Sequence, residues 1–80
     1  MSEWTLYILR CKDGSLYTGI TTDLEGRLKS HKEGTASKYT RSRRPVRIIY
    51  SKPIGSESAA RKEEARIKSL SRKEKLAVIA

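Results

Sequence analysis

Five side chains stand out for the chemistry they could do together: Tyr7, Tyr17, Arg27, His31 and Glu64. Cleaving a phosphodiester bond requires a nucleophilic water, an acceptor for its proton, positive charge at the phosphoryl oxygens and help for the departing alkoxide. A divalent metal on one carboxylate, with an arginine nearby, supplies the charge. A phenol near that metal, its pKa lowered, takes a proton. Each residue also has a plainer reading. On a helix, Glu64 lies about 40° from Ala60 and about 60° from Ile67, inside the apolar stripe. A carboxylate there must be paired, protonated or bound to a cation, and an i,i+4 pair with Lys68 would suffice. Arg27 and His31, four apart, would otherwise be a solvated basic edge and a packed, hydrogen-bonded histidine. The two tyrosines would be packing aromatics with their hydroxyls at the rim.

Positioning these residues falls to a small set of elements. Residues 4–11 are apolar and β-prone, Lys12-Asp13-Gly14 signals a turn, and residues 15–21 resume a strand, which makes a hairpin. A two-residue turn would pair Tyr7 with Ile20 and mix core and polar groups on both faces. A three-residue loop with Gly14 in the left-handed region pairs Tyr7 with Gly19 instead. Leu6, Ile8, Leu16, Thr18 and Ile20 then share one face, and Thr5, Tyr7, Leu9, Tyr17, Gly19 and Thr21 the other. The second register segregates the faces better and is the expected one. Thr22 and Glu25 form a capping box for a helix over 23–33 that ends at Gly34. Leu24, Leu28 and His31 line one side of that helix, with Arg27 at the border. Residues 35–44 are Ser/Arg/Lys-rich, with no element assigned. Residues 46–51 read as a third strand, 57–68 as a helix, and Ser71-x-x-Glu74 opens a terminal helix through Leu76 and Ile79. The order ββαβαα describes one α+β domain over residues 1–80, a three-stranded antiparallel sheet flanked by helices.

Charge points to the partner. The 80 residues carry 18 Lys+Arg and 9 Asp+Glu, a net +9. Residues 1–40 hold six basic and five acidic side chains, whereas residues 41–80 hold twelve and four, a net +8. Between Glu33 and Glu57 there is no acid, only Lys38, Arg41, Arg43, Arg44, Arg47 and Lys52. A nucleic-acid backbone is the natural ligand for such a strip; a self-repelling surface or an acidic protein partner is the plainer account. One cysteine, Cys11, allows no internal disulfide, and one Cys with one His cannot build a structural zinc site. A reduced, cytoplasmic setting is expected. No apolar run reaches the roughly 18–20 residues of a spanning helix. Met1-Ser2-Glu3-Trp4 does not resemble a leader.

At these residues the chain resembles the GIY-YIG nuclease family, above all its small single-domain bacterial members. The first family motif corresponds to Leu6-Tyr7-Ile8 and the second to Tyr17-Thr18-Gly19. Arg27, His31 and Glu64 match the family's helix arginine, its histidine or tyrosine four residues on, and its metal-binding glutamate. The resemblance extends over roughly residues 4–79. It implies that Glu64 binds one Mg²⁺ or Mn²⁺, that Tyr7 is the general base or a relay supported by His31, and that Arg27 and Tyr17 hold the phosphate. Gly19 would keep the floor of the site open opposite Tyr7. The chain departs from the family pattern at Leu6 (Gly in the family name), at Thr18 (Ile) and at Ile20 (Lys in some repair nucleases), and it contains no asparagine to match one many members carry.

The reading adopted from sequence is a divalent-metal-dependent endonuclease acting on DNA, including branched, nicked or damaged DNA in repair or recombination. With no appended domain in view, the basic strip Lys38 to Lys52 would hold the backbone, or a protein partner would deliver the substrate. The alternative is a non-catalytic nucleic-acid-binding module on the same scaffold. RNA is the weaker third reading, since no aromatic-rich RNA-recognition sheet is evident.

Overall fold

The computed structural model describes residues 3–79. Residues 1, 2 and 80, which bound the single-domain reading and begin the Met1–Trp4 leader reading, lie outside the described residues. Strand β1 (Trp4–Arg10) pairs antiparallel with β2 (Leu16–Thr21) in the expected register: Tyr7 faces Gly19 and Leu9 faces Tyr17. The three-residue loop closes with Gly14 at φ +84° and its N–H donating to the Cys11 carbonyl. Helix α1 (Leu24–Glu33) follows, then a four-residue helix α2 (Lys38–Arg41), strand β3 (Arg47–Gly55), and helices α3 (Glu57–Lys68) and α4 (Arg72–Ile79). The strand order is β2-β1-β3, so β1 is central and antiparallel to both neighbours. This is an α+β fold.

Because β1 has neighbours on both sides and helices over both faces, Leu6 through Leu9 are all buried. Alternation sends them to different cores. Leu6 and Ile8 pack with Ile67 of α3, joined by Leu16, Ile20, Tyr50, Ile54 and the terminal residues Val78 and Ile79. Tyr7 and Leu9 pack with Cys11 and Val46, against Tyr17, Leu24, Leu28 and Ile48. A β-bulge in β3, where Ile8 faces Tyr50 but Leu9 faces Ile48, lets Ile49 and Tyr50 both join the Leu6 side.

Three expectations need correction. The cap of α1 is Asp23, not Thr22: its carboxylate accepts from the Gly26 N–H at 3.1 Å, while the Thr21 hydroxyl accepts from the Asp23 N–H at 3.0 Å. The segment 35–44 contains α2, capped by Ser37, so the element order is ββααβαα. The third strand runs four residues past Ser51. Pro53, which lacks an N–H, is accommodated there because β3 is an edge strand. The other caps match: Gly34 closes α1 at φ +85°, and Ser71 and Glu74 exchange backbone and side-chain bonds at 2.9 and 3.2 Å.

Candidate active site

Tyr7 rises from the centre of the sheet, only 2% exposed. Its ring occupies the space above Gly19: a Cβ built there would lie 2.5 Å from the phenol oxygen and 2.6 Å from Cζ. The glycine therefore makes room for the Tyr7 phenol itself, which occupies the open floor expected from sequence. The phenol oxygen lies 2.9 Å from His31 Nε2, and His31 Nδ1 lies 2.8 Å from Thr40 Oγ1. His31 (1% exposed) and Thr40 (0%) are as buried as the aliphatic core. Tyr17 completes the cluster, its ring centroid 6.5 Å from Tyr7 and 5.0 Å from His31.

Electrostatics define the rest of the neighbourhood. Burial holds the Tyr7 phenol far above the usual tyrosine pKa. The neighbouring Tyr17 pushes the same way, Arg27 pulls against it, and the Glu64 carboxylate adds a smaller push upward. His31 is held below the usual imidazole pKa, first by burial and then by Arg27. Arg27 is exposed and lines an open polar cleft of about 510 Å³ with Thr21, Thr22, Asp23, Ser30 and Thr35. Glu64 is half-buried on α3, its Oε2 3.3 Å from Lys68 Nζ. The i,i+4 pair of the plainer reading is present, and the carboxylate also adds its small push to the Tyr7 phenol. The structure brings Tyr7, Tyr17, Gly19 and His31 together, with Arg27 and Glu64 acting on Tyr7 through their charge.

The basic strip does not stay together. Lys38 and Arg41 are exposed on α2, beside the site, with no ion-pair partner among the described residues. Arg43 donates to Asp13 Oδ2 at 3.1 Å, and its Cζ sits over the Tyr39 ring, 3.9 Å from the ring centre. Arg44 donates to the carbonyls of Arg41 and Lys32. These two arginines fasten α2 to the hairpin loop and to α1, helped by the Lys12 N–H donating to the Arg43 carbonyl. Register places Arg47 opposite Arg10 and Lys52 opposite Leu6, on the far side of the sheet from Tyr7. Lys52 there acts on Glu63.

Sequence reasoning missed Thr40. It lies in a stretch read for its charge, and nothing local marks it apart from Ser37, whose side chain starts the helix that carries it.

The chain belongs to the GIY-YIG family: the GIY-YIG catalytic domain matches residues 3–77. Its relatives include UPF0213 proteins from Staphylococcus haemolyticus, 46% identical across 99% of this chain and 96% of that one, and from Oceanobacillus iheyensis, 53% identical across 92% and 86%. The solution NMR structure of a UPF0213 protein from Bacillus halodurans superposes with a TM-score of 0.63 at 43% identity, covering 99% of this chain and 83% of that one. A second NMR structure, of a protein from E. faecalis, gives 0.64 at 37% identity over 98% and 88%. Among the described residues no helix is long and apolar enough to cross a membrane.

Proposed function

We propose that this chain is a metal-dependent endonuclease that hydrolyses DNA, with branched, nicked or damaged DNA as the substrate class and repair or recombination as the setting. The observation that carries it is the buried contact between the Tyr7 hydroxyl and His31 Nε2. A phenol held far above its usual pKa is not a standing phenolate at neutral pH. It works as a relay, passing its own proton to His31 while taking one from the attacking water. His31, held below its usual pKa, is neutral at pH 7 and free to accept. Arg27, on the rim of the polar cleft, neutralises the phosphoryl oxygens, and Tyr17 positions the phosphate beside it.

The donor set fits a hard divalent ion. Among the described residues no group of three His, Cys, Asp or Glu side chains comes together, so a cage built wholly of protein ligands does not fit. A single half-buried carboxylate does suit Mg²⁺ or Mn²⁺, which keep most of their waters and take further ligands from substrate phosphates. Glu64 would hold it, giving up its pair with Lys68; once bound, the ion supplies positive charge at the phosphoryl oxygen. Lys38 and Arg41 are the cations best placed to grip the backbone on this face. A cytoplasmic setting agrees with a buried, free Cys11.

The test is a cleavage assay on plasmid, single-stranded, nicked and branched DNA, with Mg²⁺ or Mn²⁺, comparing wild type with Glu64→Ala. Metal-dependent cutting by wild type that disappears in the variant supports the reading. Equal cutting by both assigns the activity to a contaminant. Salt-sensitive binding with no cutting on any substrate makes the chain a non-catalytic binding module.

A further inference from the structure

We propose that Thr40 is a positioning residue that sets the tautomer of His31, holding the proton on Nδ1 so that Nε2 stands bare toward the Tyr7 hydroxyl. The inference deepens the relay reading above and rests on it for its catalytic meaning. The structural claim stands on two proton inventories. A threonine hydroxyl has one hydrogen, and that of Thr40 can be given to the Ser37 carbonyl, which lies 3.3 Å away on the preceding turn and also accepts from the Arg41 N–H at 3.0 Å. With the hydroxyl turned to that carbonyl, the 2.8 Å contact with His31 is donated by Nδ1–H. The second inventory is that of Tyr7. The phenol is 2% exposed, and its hydroxyl has His31 Nε2 as its partner among the described residues. Were Nε2 protonated, the phenolic hydrogen would be buried with no acceptor, a penalty of order 1–3 kcal/mol. The Tyr7 inventory decides: among the described residues, every hydrogen has an acceptor when Tyr7 O–H goes to Nε2, Nδ1–H to Thr40 Oγ1, and Thr40 O–H to the Ser37 carbonyl.

Which ring nitrogen of a neutral histidine carries the proton is decided by the partner of the other. Thr40 makes that decision from outside the reacting atoms. In the transfer, the Tyr7 O–H bond breaks and an Nε2–H bond forms. The bonding pair stays on the phenol oxygen, which takes a proton from water, and the imidazolium keeps its Nδ1–H bond to Thr40. A bulky aliphatic side chain at the same place would pack equally well and lose this control. The clamp of Arg43 and Arg44 around α2 holds the threonine at the imidazole.

The chain has one histidine, so its ring nitrogens are assigned without ambiguity in a multiple-bond ¹H–¹⁵N NMR spectrum recorded above pH 7. The expected wild-type spectrum shows a protonated Nδ1 and an unprotonated Nε2; the reverse tautomer overturns the proposal with no variant needed. In Thr40→Val the ring should gain the Nε2–H tautomer, and DNA turnover should fall about 10–100-fold with KM unchanged, taking the cost of losing a partner that orients a metal-bound imidazole as the scale. Thr40→Ser should restore both. A Thr40→Val protein with the wild-type tautomer and rate also overturns it. Should Thr40→Val fail to fold, the wild-type tautomer and the Thr40→Ser rate decide the matter. Absence of cleavage by wild type would sink the nuclease reading, while the tautomer assignment would still stand or fall on the spectrum alone.

Discussion

Thr18 and Thr40 are both buried threonines, 3% and 0% exposed, on opposite sides of the sheet. Thr40 hydrogen-bonds twice and joins a chain that ends at Tyr7. Thr18, across from Ile8 and on the face of Leu6 and Ile67, has a hydroxyl with no partner among the described residues. The contrast separates the two halves of this small core. Beneath α3 and α4 the sheet is held by aliphatic packing, and a polar group there only costs. Toward α1 and α2 the core is built around a phenol, an imidazole and a hydroxyl that satisfy one another. The fold bears the cost of burying them by joining them in one hydrogen-bonded chain. The first face is held by apolar packing and the second by polar groups that satisfy one another.

Substitutions can break or sharpen that division. The largest effect on stability belongs to the aliphatic side: Ile67→Ala should cost about 2–5 kcal/mol in denaturant unfolding, a large share of what a domain this size possesses. On the polar side, Gly19→Ala pushes a methyl into the Tyr7 phenol. Overpacking of this kind costs about 1–3 kcal/mol, and the displaced hydroxyl should lose its bond to His31, so cleavage should fall further than stability alone explains. Thr18→Val removes a buried hydroxyl that makes no bond, so it should leave cleavage unchanged and stabilise the fold by up to about 1 kcal/mol. The same change at Thr40 should have the opposite sign, which makes the pair the sharpest structural contrast between the faces.

The smallest effect is a pH dependence. The unfolded imidazole takes up a proton near 6.5, whereas His31 in the fold, buried and beside Arg27, does so only at lower pH. Its contribution is therefore complete above about 6.5 and is lost as pH falls through the depressed value. Thermal midpoints should drop over that acid range in wild type and drop less in His31→Phe.

How much of this was legible in sequence depended on whether the signal was local. The hairpin register was readable because only one pairing separates Leu6 and Ile8 from Tyr7 and Tyr17, and that pairing brought Gly19 under Tyr7. The stripe of Leu24, Leu28 and His31 placed the histidine facing inward. The helix cap was misread by one residue because Thr22 and Asp23 are both good caps, and the Thr21 hydroxyl bonding the Asp23 N–H decided between them. Helix α2, four residues long, has no periodicity to read. It is held in place by Asp13, Lys12 and Lys32, residues far away in the chain. The same long-range clamp divides the basic strip, turning Arg43 and Arg44 into fasteners, while the β3 register carries Arg47 and Lys52 to the other face. Charge counted along a chain cannot say which face of a sheet it will reach.

The most direct test of the polar face is one oxygen atom. Tyr7→Phe keeps the ring above Gly19 and removes the hydroxyl that meets His31. Single-turnover cleavage of DNA with Mg²⁺, measured beside the unfolding midpoint, should fall on the order of 10²–10⁴-fold, the usual worth of a positioned acid–base group, in a protein that remains folded. A folded Tyr7→Phe protein that cuts at the wild-type rate would contradict the account.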